Sequence, residues 1–497
     1  LTVLPNEDIP AGSLDRWHRR ATYTGCALLL VQWIAYNFVD IDLWHQMGLI
    51  RESLAAGHLL RIDPYAYTPT LPWIDHEWGA GAVAYFATHW FGARAILVLK
   101  YFCALGTLVA CIRCSEKRGA DFPVIGLCAP LAIFLCTLGF LATVRAQDYS
   151  FLFTAIWLLF LEYDRRGSRV WIAFALAIFA LWVNLHAGFF VVLGLTALQA
   201  AENLLHREPY WHLLLLLCAM TLEILINPYG AAYFLYLKRA LLMSRPYSPE
   251  WSGLGHLGAI WVAAYVAAIV IATLGVWRTG WLHARGLPCL VVTAIFAGRH
   301  SKMLPLFAIA WLCYVPSYLQ AAQITHWWQS FAHRRQAFMT AAWAFVICLC
   351  AFLACRAQIW QLRVPQPLYP IGAVDYLAKE NFKGNLMVPF RLGAYVSWKL
   401  YPAVKVSMDS RYEVAYPDAV VKQVFDFYGA APSWQSTLAA WPTDAVLVPR
   451  DLPVAQFMPS IGWPCTYSDA QFEIYVRPGI ALPVTDMRAA TFRGTFP

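Results

Sequence analysis

Down to residue 356 the chain is built of long apolar blocks separated by short polar clusters. Each block is close to the roughly 20 apolar residues a helix needs to cross the hydrocarbon layer. Eleven such spans are read, near residues 22–38, 93–113, 122–143, 149–163, 169–186, 188–205, 210–226, 256–277, 286–299, 302–320 and 336–356. A mixed stretch, 40–92, separates the first two. In it Leu43, Met47, Ile50 and Leu54 recur at helical spacing among polar neighbours, which predicts an amphipathic interfacial helix ended by Gly57. Trp78 to Phe91 is apolar and rich in glycine and aromatic residues, but too short for a span, so it is read as a re-entrant or interfacial helix. Counting it as a crossing would reverse the side of every later loop.

The pattern changes at the proline-bearing segment from Arg363 to Pro367. Beyond it, short elements replace long blocks. Helices are predicted over 371–379, 392–400, 418–428 and 433–440, and strands over 385–389, 404–409, 445–448 and 472–476. The expected fold class is a polytopic α-helical membrane protein with a small C-terminal α/β domain. Its parts are a leader at 1–21, a transmembrane domain at 22–356 with a large loop at 40–92, and an α/β domain at 357–497.

Composition narrows the partners. The 497 residues are 60% hydrophobic and only 13% charged, with a mean hydropathy of +0.51, far from the composition of a soluble domain. The formal charge of +8 is spread over loops and forms no run, which argues for membrane topology and against nucleic acid. The cluster Asp15 to Arg20 and the loops 113–118, 164–169, 278–285 and 333–335 then share the cytoplasmic side of an inner membrane. An odd number of spans puts the C-terminal domain on the extracytoplasmic side. All but one of the 13 cysteines lie in or beside apolar blocks, and Cys111 and Cys114, a C-x-x-C at the end of a span, have no second pair at metal-site spacing. No internal repeat is visible, which counts against a transporter of two related halves.

With that topology the unusual polar residues at span ends gather on one face: Asp40 and Asp42, His76 and Glu77, Arg145 and Asp148, Asn184 and His186, Glu250, and Arg299, His300 and Lys302. Ionisable groups at membrane depth are costly, so their gathering points to a functional cavity. Asp40 and Asp42 are spaced to hold a divalent cation or to divide the work of a general base, while N-capping of the next helix explains Asp42 equally well. His76 and Glu77 suit a polar cavity wall or a helix cap between interfacial tryptophans. Asp148 caps a span or assists Asp42. Asn184 and His186 end a span as packing residues or as cavity groups. Arg299, His300 and Lys302, with Arg145, suit a phosphate, while snorkelling at the interface is the other reading.

Residues 42–57 read D-L-W-H-Q-M-G-L-I-R-E-S-L-A-A-G, followed by D-P-Y-A-Y-T at 63–68 and W-I-D-H-E-W at 73–78. This resembles the first extracytoplasmic loop of bacterial GT-C membrane glycosyltransferases, the superfamily of protein O-mannosyltransferases and the lipid A aminoarabinose transferase. The resemblance implies a GT-C-like fold and transfer of a sugar, with inversion, from a polyprenyl-phosphate donor to a hydroxyl of a lipid, glycan or protein. Asp42 matches the acidic residue after the first span, and Asp148 is similar to a second acidic position. His76 and Glu77 stand where some relatives carry a basic residue, leaving donor phosphate binding to Arg145, Arg299, His300 and Lys302. The C-terminal residues Asp409 and Arg411 read as an ordinary salt bridge or as part of acceptor selection. The rival functions are a transporter or flippase of lipid-linked sugars and a lipid-linked glycan ligase or polymerase.

Overall fold

The computed structural model describes residues 13–243, 245, 247–356 and 359–497, so the first part of the expected leader lies outside the described residues. The helical part comprises α1 (Ser13–Trp33), α2 (Ile41–Ala56), α3 (Trp78–Phe91), α4 (Ala95–Lys117), α5 (Phe122–Thr137), α6 (Ala146–Arg165), α7 (Trp171–Leu185), α8 (Phe190–Leu205), α9 (Trp211–Glu223), α10 (Ala232–Leu242), α11 (Ala259–Thr279), α12 (Leu287–Arg299), α13 (Leu304–Ala321), α14 (His326–Arg334) and α15 (Gln336–Arg356). Each predicted span falls on one of these helices. Among the described residues, six are long and apolar enough to cross a membrane: α4, α11, α15, and α5, α8 and α13 with their flanking short turns. Helices α7, α9 and α12 are apolar but shorter. Helices α10 and α14 lie in stretches where the pattern predicts no element.

The chain is a multi-pass membrane protein, and its burial pattern shows how the bundle is layered. Helix α13 is buried along nearly its whole length and packs against α4, α5, α6, α11 and α12. Val266 and Val270 of α11, and Phe345 and Phe352 of α15, are exposed. Large apolar side chains so placed face lipid rather than water, where no backbone group is left unpaired because the helix satisfies its own.

Helix α2 begins at Ile41, two residues before the expected start at Leu43, and Asp40 rather than Asp42 takes the capping position. Asp40 is its N-cap, accepting a hydrogen bond from the Asp42 N–H at 3.0 Å, and Gly57 ends it in the left-handed conformation at φ 73°. It also differs from the expectation in burial: from Leu43 to Ile50 every residue is buried. The reason is that α3 covers one side and a helix of the C-terminal part, Phe390–Leu400, covers another.

The C-terminal part comprises α16 (Ile371–Lys379), β1 (Gly384–Met387), α17 (Phe390–Leu400), β2 (Val404–Val406), α18 (Tyr412–Ala415), α19 (Asp418–Tyr428), α20 (Trp434–Ala440), β3 (Ala445–Pro449), β4 (Cys465–Ser468), β5 (Phe472–Val476) and β6 (Thr485–Asp486). The sheet runs β2-β1-β3-β5-β4-β6, parallel on the β2-β1-β3 side and antiparallel from β3 through β5 to β4. The apolar runs of β3 and β5 are buried throughout, as centre strands demand. Strands β4 and β6 escape the pattern because they are short and mostly polar.

Sheet edge and interfacial loop are joined. The Val406 N–H donates to the Tyr65 carbonyl at 2.9 Å and the Tyr67 N–H donates to the Val406 carbonyl at 3.1 Å, so residues 65–67 extend the sheet past β2. Trp44 of α2 packs among Tyr369, Tyr395, Trp398 and Phe496. Arg51 donates to the Trp398 carbonyl at 3.0 Å and lies over its ring. The α/β domain is thereby seated on the loop that carries Asp40 and Asp42.

Candidate active site

A short backbone pairing positions the first group. Phe38 bridges Ala142 on one side and Arg363 on the other, and the Asp40 N–H donates to the Thr143 hydroxyl at 3.1 Å. Residues following the two paired segments therefore face each other: Asp40 and Asp42 from one, Arg145 from the other. Arg145 lies 3.3 Å from Asp40 Oδ2, 3.6 Å from Asp42 Oδ2 and 3.0 Å from Glu250 Oε1. Lys302 Nζ stands 3.7 Å from the other Glu250 oxygen and 5.4 Å from the Trp251 ring centre.

Glu250 and Lys302 reach this point because their segments are stitched together. The Ser301 N–H donates to the Ser252 carbonyl at 2.9 Å, the Ser301 hydroxyl donates to the Glu250 carbonyl at 3.1 Å, and the His300 Nδ1–H donates to the Trp251 carbonyl at 2.6 Å. Beside them opens a cavity of about 480 Å³, lined by Arg245, Tyr247, Trp251, Ser252 and His300 among others.

Burial pushes Asp40 and Asp42 up to about 6, against the pull of Arg145. Glu250 behaves in the opposite way: burial resists its charge, but Arg145 and Lys302 hold it down to about 2. The site thus combines carboxylates ready to take a proton with cations already committed to an anion. The Arg145 guanidinium sits between Asp40 and Asp42 where a divalent cation would have to lie. Among the described residues no group of three or more His, Cys, Asp or Glu converges to hold a metal. The expected metal role of Asp40 and Asp42 therefore does not fit this arrangement.

Glu77 is the centre of a second polar group. It accepts a hydrogen bond from Gln46 Nε2 at 2.6 Å and lies 3.4 Å from His76 Nε2 and 3.6 Å from His186 Nε2. Burial works against its charge, yet His76 and then His186 keep it below the usual carboxylate range. His186 Nδ1 accepts from the Gly188 N–H at 3.0 Å, and Ser150 Oγ stands 2.7 Å from the same nitrogen. A neutral ring with Nδ1 so used carries its proton on Nε2, facing Glu77. Two glycines permit the approach of α3 to its neighbours: a β-carbon on Gly79 would come within 2.5 Å of the Asn184 carbonyl oxygen, and one on Gly81 within 2.6 Å of that of Gln46.

The remaining candidates fall elsewhere. Asp148 is fully buried beneath the cluster, where its Oδ2 accepts the Arg145 N–H at 3.3 Å. Asn184 is a structural clip, accepting from Trp78 Nε1 and donating to the Ala180 and Ile226 carbonyls. Arg299 is exposed at the end of α12 and joins no ion pair among the described residues. Asp409 and Arg411 form a buried ion pair that also takes in Asp63. Cys111 and Cys114 are buried packing residues, with sulfurs facing the Ile309 and Leu158 carbonyls.

Three further polar residues carry no distinguishing signal in the apolar pattern or are not singled out by it: Gln46, His45 and Lys100. Gln46 and His45 lie on the predicted helix with nothing to separate them from surface polar residues. His45 Nδ1 is 2.8 Å from Ser410 Oγ of the α/β domain, and burial pushes it down to about 4. Lys100, fully buried, donates to the Ile34 carbonyl at 2.6 Å and to Asn37 Oδ1 at 3.1 Å. A lone lysine inside an apolar span was a usable signal.

No protein-family description matches the chain, and no curated protein sequence does. Solved structures do. ArnT from Cupriavidus metallidurans in the apo state superposes with a TM-score of 0.52 over 91% of this chain and 96% of that one, at 12% identity. The same protein bound to undecaprenyl phosphate gives a TM-score of 0.50 over 94% of this chain and 99% of that one, also at 12% identity. Identity this low speaks for architecture, and the architecture agrees along nearly the full length of both chains: this protein has the fold of ArnT, as the GT-C resemblance at residues 42–78 implies.

Proposed function

We propose that the chain is a glycosyltransferase of GT-C type that moves a sugar from a polyprenyl-phosphate donor to a hydroxyl acceptor at the extracytoplasmic face of the inner membrane. The observation that carries this reading is Arg145, flanked by Asp40 and Asp42, two proton-accepting carboxylates, and linked through Glu250 to a second cation, Lys302. Sugar transfer from a lipid phosphate needs these two chemistries side by side. The shared fold with an ArnT that binds undecaprenyl phosphate supports the choice of donor.

Asp42 takes the proton of the acceptor hydroxyl while its oxygen attacks the anomeric carbon. The bond from that carbon to the phosphate oxygen breaks, and the lipid phosphate departs with the electron pair. Arg145 and Lys302 stabilise the leaving charge, with His300 at the cavity wall. A single displacement of this kind inverts the anomeric centre. Asp40 orients Asp42 and Arg145 through its cap and its ion pair. Asp148, with no exposed surface, acts as a positioning residue that fixes the Arg145 backbone. Glu77, with Gln46, His76 and His186, would hydrogen-bond the sugar. Arg299 lies at the membrane interface, where it is placed to meet the lipid headgroup layer rather than the donor phosphate.

The decisive experiment purifies the full chain and identifies lipid-linked sugars that travel with it by mass spectrometry, then supplies one as donor. Appearance of a glycosidic product supports the reading. Movement of the lipid-linked sugar across a vesicle membrane with no such product would instead establish the flippase.

A further inference from the structure

The anion that holds Arg145 and Lys302 together is a side chain of the protein itself. Glu250 presents one oxygen 3.0 Å from Arg145 and the other 3.7 Å from Lys302. The phosphodiester of the donor, and the monoester that transfer leaves behind, would draw the same charge-assisted contacts from the same two cations. Carboxylate and phosphate cannot share the place, because like charges at contact distance repel strongly at a partly desolvated site. We propose that Glu250 is a built-in substitute for the donor phosphate, filling the anion site while it is empty and yielding it when the donor arrives. The inference rests on the proposed function.

Arg145 has three carboxylate neighbours, and geometry selects the one that yields. The Asp40 side chain is 11% exposed and is committed to capping α2. Asp42 is 29% exposed and fixed on the first turn of that helix. Glu250 is 44% exposed and stands on a single helical turn between Pro249 and Trp251, both of which line the cavity of about 480 Å³. Its backbone does not need to move. The Glu250, Trp251 and Ser252 carbonyls are each bonded to the segment His300 to Ser301, so displacement is a rotation of the Glu250 side chain toward solvent with Trp251 and His300 kept in place.

The arrangement has a benefit that balances the competition. In an empty site without Glu250, Arg145 would turn its full charge onto Asp40 and Asp42 and weaken Asp42 as a base. With Glu250 present, the guanidinium is shared among three carboxylates and stays aimed at the place the phosphate will occupy.

The test measures binding of undecaprenyl phosphate, with undecaprenol as the uncharged control, to the full chain and to Glu250→Gln, Glu250→Ala and Lys302→Ala. Glu250→Gln and Glu250→Ala are expected to bind undecaprenyl phosphate roughly fivefold more tightly, the effect of removing one partly exposed competing charge. Undecaprenol binding is expected to stay unchanged, and Lys302→Ala to bind the phosphate more weakly. If the wild type binds undecaprenyl phosphate and both Glu250 variants bind it no more tightly, the substitute role is overturned while the donor reading stands. An equal gain for undecaprenol also overturns it. If none of the four proteins binds undecaprenyl phosphate, the donor reading falls and the inference with it.

Discussion

Among the arginines that gather more than one carboxylate, Arg411 and Arg145 do opposite things with them. Arg411 is enclosed: its side chain is 2% exposed and that of Asp409 0%, with Nε 3.0 Å from both Asp409 oxygens, Asp63 on the far side, and the rings of Tyr65 and Trp73 against it. Arg145 is 20% exposed, and its contacts with Asp40 and Asp42 are looser, at 3.3 and 3.6 Å. The carboxylates record the difference. Burial resists the charge of Asp409, but Arg411 holds it below the usual carboxylate range, whereas burial wins at Asp40 and Asp42 and raises both to about 6. A guanidinium enclosed with its carboxylates makes a tie, here between the loop at residues 58–75 and the α/β domain. A partly exposed one, loosely paired, leaves proton affinity on its partners and a face open to a ligand.

The comparison breaks most readily at Asp42. Asp42→Asn keeps the shape and removes the proton acceptor, so transfer is expected to fall by about 10²–10⁴-fold. The melting temperature in detergent should hold or rise, because a partly buried, poorly compensated charge is lost. Retained transfer would move the base elsewhere. At the other arginine the same logic predicts damage to the fold. Arg411→Met strands two carboxylates and should cost about 3–5 kcal/mol, read as a lower melting temperature. Adding Asp63→Asn and Asp409→Asn should restore much of it, since what destabilises is the unpaired charge. A variant that melts normally but transfers nothing would make Arg411 part of the site after all.

The sequence showed some of this contrast and hid the rest for physical reasons. Spans and the α/β alternation were legible because apolar length and period are local. Asp40, Asp42 and Arg145 stood out as charges at span ends, and Asp409 with Arg411 as a pair at a strand end. Their partners did not, because partnership is set by tertiary contact. Asp63 is a loop residue some 350 positions from Arg411 in the chain, by the ~3.5 Å per residue of extended backbone far outside any local pattern, and meets it only through the pairing of residues 65–67 with β2. Arg299 carried the stronger signal than Glu250, being a cation in an apolar stretch, yet it is Glu250 that the stitched loops bring to Arg145. Gln46 gave no signal at all. An uncharged polar residue on an amphipathic helix belongs on the wet face unless another helix covers it, as α3 does.

Acidity separates the two regions more gently. If Asp42 is the base, transfer requires its ionised form, so kcat/KM should fall about tenfold per pH unit below about 6. Stability moves the other way. The folded values of Asp40 and Asp42 lie above the ordinary 3.8, so folding favours their protonated forms, and their contribution to stability is present at low pH and lost as pH rises through about 6. Acidification should therefore slow transfer while stabilising the site. A rate profile that stays flat down to pH 5 would separate Asp42 from the rate-limiting proton transfer.

The smallest expected effect tests whether the Glu77 group is a second wall or part of the same electrostatic unit. Gln46→Met removes the 2.6 Å hydrogen bond to Glu77 and leaves His76 and His186 on the other oxygen. One lost bond to a charged acceptor is worth about 1.5 kcal/mol, or about tenfold. The loss should appear in KM for the donor if Glu77 orients the sugar. Glu77 stays charged in this variant, because the histidines that hold it low remain, so its repulsion of Asp42 persists. The midpoint near 6 should then not move. A shifted midpoint would mean that Gln46 sets the charge of Glu77 as well as its direction, and that Asp42 feels the second group as strongly as the first.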